Sequence, residues 1–163
     1  GNTNCPGSLK QPLHMDGKHL WPFLDVSHPP VSIVINISPT DTDEGNGSVE
    51  LWPSTHLIGG TSSPITIEVE EARRRLVPPV RGNARKGSAL MRDVRLWHRG
   101  LPNQSSQVRH MIAMIHNISW WHKDRALTFN CGSESAFFAC GLDHNVVFTD
   151  ETIDYLFLQK KFR

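Results

Sequence analysis

Cysteine is scarce in this chain: Cys5, Cys131 and Cys140 are the only three in 163 residues. They are too few and too widely spaced for a disulfide framework or a zinc ribbon, and an odd count suits reduced thiols carried as small buried side chains. Long apolar runs are missing as well. No stretch approaches the roughly 20 residues that span a bilayer, and no charged-then-apolar leader opens the chain. The expectation is a soluble, intracellular protein, cytoplasmic and without a membrane partner. Excess charge of either sign is absent, with 17 Lys and Arg against 16 Asp and Glu, so no long-range field draws in nucleic acid. The local cluster Arg73-Arg74-Arg75, with Arg81, Arg85 and Lys86 behind it, has no interleaved aromatics and reads as a solvated helix face and loop. Internal repeats are absent too, and nothing bears on oligomeric state.

What is present suits one domain, residues 1–163, with a sizeable core, since 38% of residues are hydrophobic and 20% charged. The chain opens Gly1-Asn2-Thr3-Asn4 without a methionine and reaches its most distinctive motif at His14, so the expectation is that an N-terminal segment is missing. Val31 to Ser38 sets Val31, Ile33, Ile35 and Ile37 against a mixed face, which predicts a strand. Asn46-Gly47 predicts a hairpin turn, with Ser48 to Trp52 as the returning strand. Asp41, Asp43 and Glu44 resemble part of a calcium loop but lack the EF-hand pattern, which leaves a solvated turn. Glu68 to Leu76 runs from acidic to basic and stops at Pro78-Pro79, the pattern of a short helix. Ala89 to His98 and Val108 to Trp121 are two further apolar runs, the second read as a strand buried on both faces. Phe137-Phe138-Ala139 and Asp150 to Phe162 are candidate terminal helices. Short strands at regular intervals with little helix make the fold mainly β, an antiparallel sandwich or barrel.

The chemistry gathers at Leu13-His14-Met15-Asp16-Gly17. In an extended backbone His14 and Asp16 share one face and Leu13 and Met15 the other, a two-toothed metal clamp. A third ligand must come from elsewhere, and His98, at the end of an apolar run before Gly100-Leu101-Pro102-Asn103, is the leading candidate. Two histidines and a carboxylate on one side of an octahedral ion form the facial triad of non-haem iron oxygenases, which leaves three positions open. Arg109 opens the next strand. A guanidinium entering so apolar a run needs an anion, and a bidentate carboxylate is its natural partner. A 2-oxo dicarboxylic acid satisfies both needs. Taken singly, each residue has an ordinary explanation: His-x-Asp by chance among nine histidines, His98 in a core, Arg109 reaching back to water. Their order along the chain is a much narrower pattern.

Gln11 to Asp16, Gly45 to His56, and Asp93 through Asn103 to Arg109 together resemble the phytanoyl-CoA dioxygenase family. The resemblance runs from about residue 6 to residue 121. It implies a double-stranded β-helix, that is, a jelly-roll or cupin-like barrel, with a few peripheral helices. It also implies an Fe(II)- and 2-oxoglutarate-dependent oxygenase that consumes O2. His14, Asp16 and His98 match the iron ligands, Arg109 matches the 2-oxoglutarate anchor, and Gln11 matches a position that contacts 2-oxoglutarate in some members. Pro53-Ser54-Thr55-His56 stands where many members have Pro-Gly-Ser-His, and Val49 stands where some offer a threonine hydroxyl to the co-substrate. The ligand Asp16 favours hydroxylation of an unactivated C–H bond, or a related desaturation, over halogenation, which needs that position for halide. A small organic substrate is implied, with Trp21, Phe23 and Trp97 as candidate apolar walls. Two alternatives stand beside this: a catalytically silent jelly-roll binding domain, and a cupin-like metalloenzyme that does not use 2-oxoglutarate.

Overall fold

Alternation from Val31 to Ser38 does produce a strand, β2 (Ser32–Ile37), but its faces are reversed relative to hydrophobicity. Ser32, Val34 and Asn36 are buried, whereas Ile33, Ile35 and Ile37 are only half-buried. The computed structural model describes residues 1–60, 65–121, 126–138 and 141–154. These divide into two compact units, residues 1–118 and residues 119–163.

The first unit holds β1 (Asn2–Asn4), β2, β3 (Glu50–Leu51), helix α1 (Ile67–Leu76), β4 (Val80–Arg81), β5 (Ala89–Asp93), β6 (His98–Arg99) and β7 (Arg109–Asn117). One sheet has the order β1-β7-β2-β5 and the other β4-β3-β6, with every pair antiparallel. An antiparallel bridge between His14 and His98 adds the His-x-Asp segment beside β6. The chain therefore alternates between sheets, which is the winding of a double-stranded β-helix. For the same reason the turn at Asn46-Gly47 is not the hairpin expected. It carries the chain from β2 to β3 in the other sheet, held by reciprocal bonds between Asp43 and Asn46 at 2.9 and 3.0 Å.

Alternation also sorts the two sides of the smaller sheet. Leu13 and Met15, opposite in phase to His14 and Asp16, join Trp52 and Trp97 in the buried apolar cluster, with Ile58 and Ile65 packed against it. Two indoles burying about 200 Å² each at roughly 25 cal/mol per Å² contribute on the order of 10 kcal/mol before chain entropy is subtracted. The inner face of the barrel is largely polar instead, with Ser32, Asn36, Arg92 and Arg109 from the larger sheet and His98 from the smaller, beside Val34. Strand β7 is not buried on both faces as expected: Ile112, Met114 and Ile115 are exposed, because no described element of this unit covers them. Outside, Met91, Ile35 and Met114 lie in register across β5, β2 and β7.

Helix α1 begins one residue before the expected span, after the cap Thr66, and buries no residue. Charge docks it instead. Arg99 on β6 pairs with Glu50 at 2.8 Å and grips both carboxylate oxygens of Glu70 at 2.9 and 3.0 Å, while Arg74 bonds Glu70 at 3.0 Å and lies 4.8 Å above the Trp52 ring. Arg73 donates to the carbonyl of Pro53 at 2.6 Å. Arg73 and Arg74 thus help to dock the helix, whereas Arg75, Arg85 and Lys86 are exposed as expected. Ser54 sits in the left-handed region at φ 63°, which explains the glycine of the family pattern at this position.

The second unit contains β8 (Leu127–Asn130), α2 (Ser135–Phe138) and β9 (Val146–Thr149), with β8 and β9 parallel. Phe129, Phe137 and Phe148 make consecutive ring contacts, and the exposed Phe138 touches Phe148 from outside. The expected helix at 137–139 corresponds to α2, and most of the one expected at 150–162 lies outside the described residues. Cys5 and Cys131 are exposed free thiols, contrary to the buried reading, and Cys140 also lies outside the described residues. Among the described residues, no helix is long and apolar enough to cross a membrane.

Candidate metal centre

His14 and His98 are directly opposed across the two-segment ladder and exchange both backbone bonds, at 3.1 and 3.0 Å. Side chains of such a pair leave the same face, and the rings lie with centroids 4.4 Å apart. Each ring is oriented by main chain. His14 Nδ1 lies 2.8 Å from the Pro12 carbonyl and His98 Nδ1 2.9 Å from that of Leu96. A carbonyl only accepts, so Nδ1 carries the proton in each ring and leaves the Nε2 lone pair free to ligate.

Asp16 arrives two residues after His14 on the same face. Its backbone N–H and that of Gly17 both donate to the Val94 carbonyl, at 2.9 and 3.1 Å. Gly17 is needed for this approach, since a Cβ there would stand 2.7 Å from a Val94 methyl. Asp16 Oδ1 lies 3.5 Å from His98 Nε2 and 3.8 Å from His14 Nε2. Its other oxygen, Oδ2, accepts from Arg92 Nη2 at 2.6 Å. The three donor atoms lie within 4.8 Å of one another. Neighbouring donors on an octahedral ion with bonds of about 2.1 Å are about 3 Å apart, so a small inward movement closes the set around a first-row metal. Burial pushes the Asp16 carboxyl up, but His98 and Arg92 outweigh it and hold the group well below the usual carboxylate range. It is ionised and ready to ligate.

The turn before His98 is pinned by a second buried pair. Arg95 Nη2 meets Asp93 Oδ2 at 2.6 Å and donates to the His28 carbonyl at 2.9 Å. Burial raises the Asp93 carboxyl, and the bonds from the Arg95 guanidinium and backbone overcome this to leave it below its ordinary pKa. Arg109 lies elsewhere, opposite Asn4 on β1. It is buried, and its bonds go to the carbonyls of Asn46 and Gly47 at 3.3 and 3.2 Å. Among the described residues it has no carboxylate partner, and burial pulls its pKa down. It lines a cleft of about 540 Å³ with Asn46 and Val108, among others. No described hydrogen bond or ion pair joins it to the triad. Gln11 is exposed and its Oε1 accepts from the Gly100 N–H at 2.7 Å, tying the clamp segment to the turn after His98.

A family model described as phytanoyl-CoA dioxygenase matches residues 2–111. The chain belongs to the phytanoyl-CoA dioxygenase family. Solved structures agree on the fold. AviO1 from Streptomyces viridochromogenes Tue57 is 23% identical with a TM-score of 0.54 over 72% of this chain and 48% of its own. EctD from S. alaskensis, solved with 2-oxoglutarate and 5-hydroxyectoine, is 16% identical with a TM-score of 0.56 over 71% of this chain and 41% of its own. The non-haem α-ketoglutarate-dependent carbocyclase SnoK from nogalamycin biosynthesis is 19% identical with a TM-score of 0.55, over 69% and 45%. This chain thus spans less than half the length of each. Family membership and the two-histidine, one-carboxylate donor set agree on Fe(II) as metal and 2-oxoglutarate as co-substrate.

Of the candidate walls, Trp97 is buried in the cluster behind the sheet, while Trp21 and Phe23 are exposed on the loop after Asp16. Two interior residues escaped the sequence reading, Arg92 and Asn36. Arg92 interrupts the apolar run 89–94 as Arg109 interrupts its own, and the same argument about a cation in an apolar strand could have found it.

Proposed function

We propose that this chain forms the metal-binding barrel of a 2-oxoglutarate-dependent dioxygenase that hydroxylates an unactivated C–H bond of a small organic substrate. The observation that carries the reading is the convergence of His14 Nε2, His98 Nε2 and Asp16 Oδ1 on one face of the ladder. Bound there, Fe(II) and 2-oxoglutarate supply the oxidative decarboxylation that turns O2 into a C–H oxidant.

The chain's own residues do the positioning. Two backbone-oriented imidazoles and one oxygen of Asp16 would hold the metal on a single side, leaving the other side to co-substrate and O2. Arg92 occupies Oδ2, which favours ligation through Oδ1 alone. Arg109, buried and lacking a carboxylate among the described residues, supports the far end of a dicarboxylic 2-oxo acid as its counter-ion. Asp16 itself argues against a halide at that position.

The test is succinate release with Fe(II), 2-oxoglutarate and O2, comparing wild type with Asp16→Ala and Arg109→Ala. Loss of turnover in both variants is expected. Turnover indifferent to Arg109→Ala would remove Arg109 as the anchor of 2-oxoglutarate, and a metal-loaded wild type without turnover would favour a silent binding domain.

A further inference from the structure

Arg92 and Asn36 are buried on neighbouring strands of the barrel's inner face. Arg92 stands opposite Val34 in the β2–β5 register, one alternation from Asn36, and the two side chains meet where Arg92 Nε donates to Asn36 Oδ1 at 3.4 Å. This contact fixes the amide's orientation and turns its Nδ2 away from the guanidinium. Nη2 of Arg92 is committed to Asp16. Nη1 of Arg92 and Nδ2 of Asn36 are both shut off from solvent and find no acceptor among the described residues. A buried donor left unmade costs on the order of 1–3 kcal/mol, more on a charged group, so two together on the inner wall call for an oxygen acceptor.

We infer that Arg92 Nη1 and Asn36 Nδ2 form a two-donor subsite for a carboxylate bound against the metal centre. Nη1 and Nη2 share one guanidinium carbon, so an acceptor on Nη1 lies within a few ångströms of the Asp16 carboxylate. This deepens the proposed reading and rests on it. A 2-oxo dicarboxylic acid has two carboxylates, and the proposed reading assigns the far one to Arg109. The subsite takes the one adjoining the keto group, next to the metal. An oxidisable substrate could bring the same chemistry, and small probes separate the two sources.

The experiment is calorimetric titration of the Mn(II)-saturated protein, which is redox-silent, with 2-oxoglutarate and separately with oxalate, which has the near end but no distant carboxylate. Asn36→Asp keeps the Oδ1 acceptor for Arg92 and replaces the unpaired donor with an anionic oxygen. Arg92→Lys keeps a cation for Asp16 and removes Nη1. Each variant is expected to weaken both probes by 10-fold or more, while Arg109→Met weakens 2-oxoglutarate and leaves oxalate unchanged. Mn(II) affinity, measured alone by EPR, shows that the triad is intact in Asn36→Asp.

Oxalate and 2-oxoglutarate bound as tightly by both variants as by wild type would overturn the subsite. Oxalate binding that is sensitive to Asn36→Asp, in a wild type that ignores 2-oxoglutarate, would uphold the subsite and reject the co-substrate, leaving the substrate as the carboxylate's source. A wild type that binds neither probe would overturn both.

Discussion

His14 and His98 are held together by main chain: the two residues exchange both backbone hydrogen bonds, so the spacing of two metal donors does not depend on side-chain packing. Their imidazoles can be removed without dismantling the ladder that carries them.

His98→Ala should therefore fold like wild type and lose Mn(II) or Fe(II) affinity by more than about 100-fold, beyond the usual effect of an outer-shell change. Asp16→Ala should lose as much metal affinity and also destabilise the metal-free protein, by about 2 kcal/mol, because Arg92 is left buried and unpaired. Urea unfolding and metal titration measure the two effects separately. Equal stability of the two variants would contradict the role given to Arg92.

Arg109→Met should raise the Kd for 2-oxoglutarate by at least about 30-fold, as expected for truncating one side of a buried charged contact, and leave metal affinity unchanged. Calorimetry on the Mn(II)-loaded protein gives both numbers.

Stability should depend on pH through Asp93. Its folded pKa is depressed below the unfolded value of about 3.9, so its contribution is complete above that value and is lost as pH falls through the folded pKa. The difference in urea midpoint between wild type and Asp93→Asn, which isolates this contribution, should hardly change from pH 7 to 5 and should shrink on further acidification. Asp93→Asn should be less stable at neutral pH and should show a shallower acid slope.

The charged dock of α1 should be sensitive to which partner is removed. Arg99→Met leaves Glu50 and Glu70 side by side with Arg74 as their remaining described cationic partner, and should cost less than the about 3–5 kcal/mol of an uncompensated buried charge. Adding Glu50→Gln and Glu70→Gln to that variant should recover a large part of the loss. A triple variant no more stable than the single one would mean that the charges do not dock the helix.

Ser54→Gly relieves a left-handed backbone at a residue that carries a Cβ. The gain should be up to about 1 kcal/mol, the size of the left-handed penalty less the entropy glycine brings to the unfolded chain. Thermal unfolding is sufficient to see it.

The triad was legible in the sequence because period-two alternation puts His14 and Asp16 on one face wherever the chain is extended, and a β-fold has to bring a distant third ligand to them. The sheet assignment of β3 was not legible. Asn46-Gly47 has the local chemistry of a hairpin, and only the winding of the whole barrel sends the next strand to the other sheet. Hydrophobicity also misled at β2, since a barrel that encloses a polar site turns its serine and asparagine inward and its isoleucines outward. Arg73 and Arg74 looked solvated because their partners, Pro53 and Glu70, could be assigned only once the helix was docked.

The buried Trp52–Trp97 cluster lies behind the metal-bearing sheet, on the opposite side from the polar lining. Structural robustness and chemical selectivity are therefore encoded by alternate residues of the same strands. Inner-face positions outside the metal and carboxylate contacts can vary without drawing on the cluster, which makes them a suitable place for evolution, or for a laboratory library, to search for new substrates.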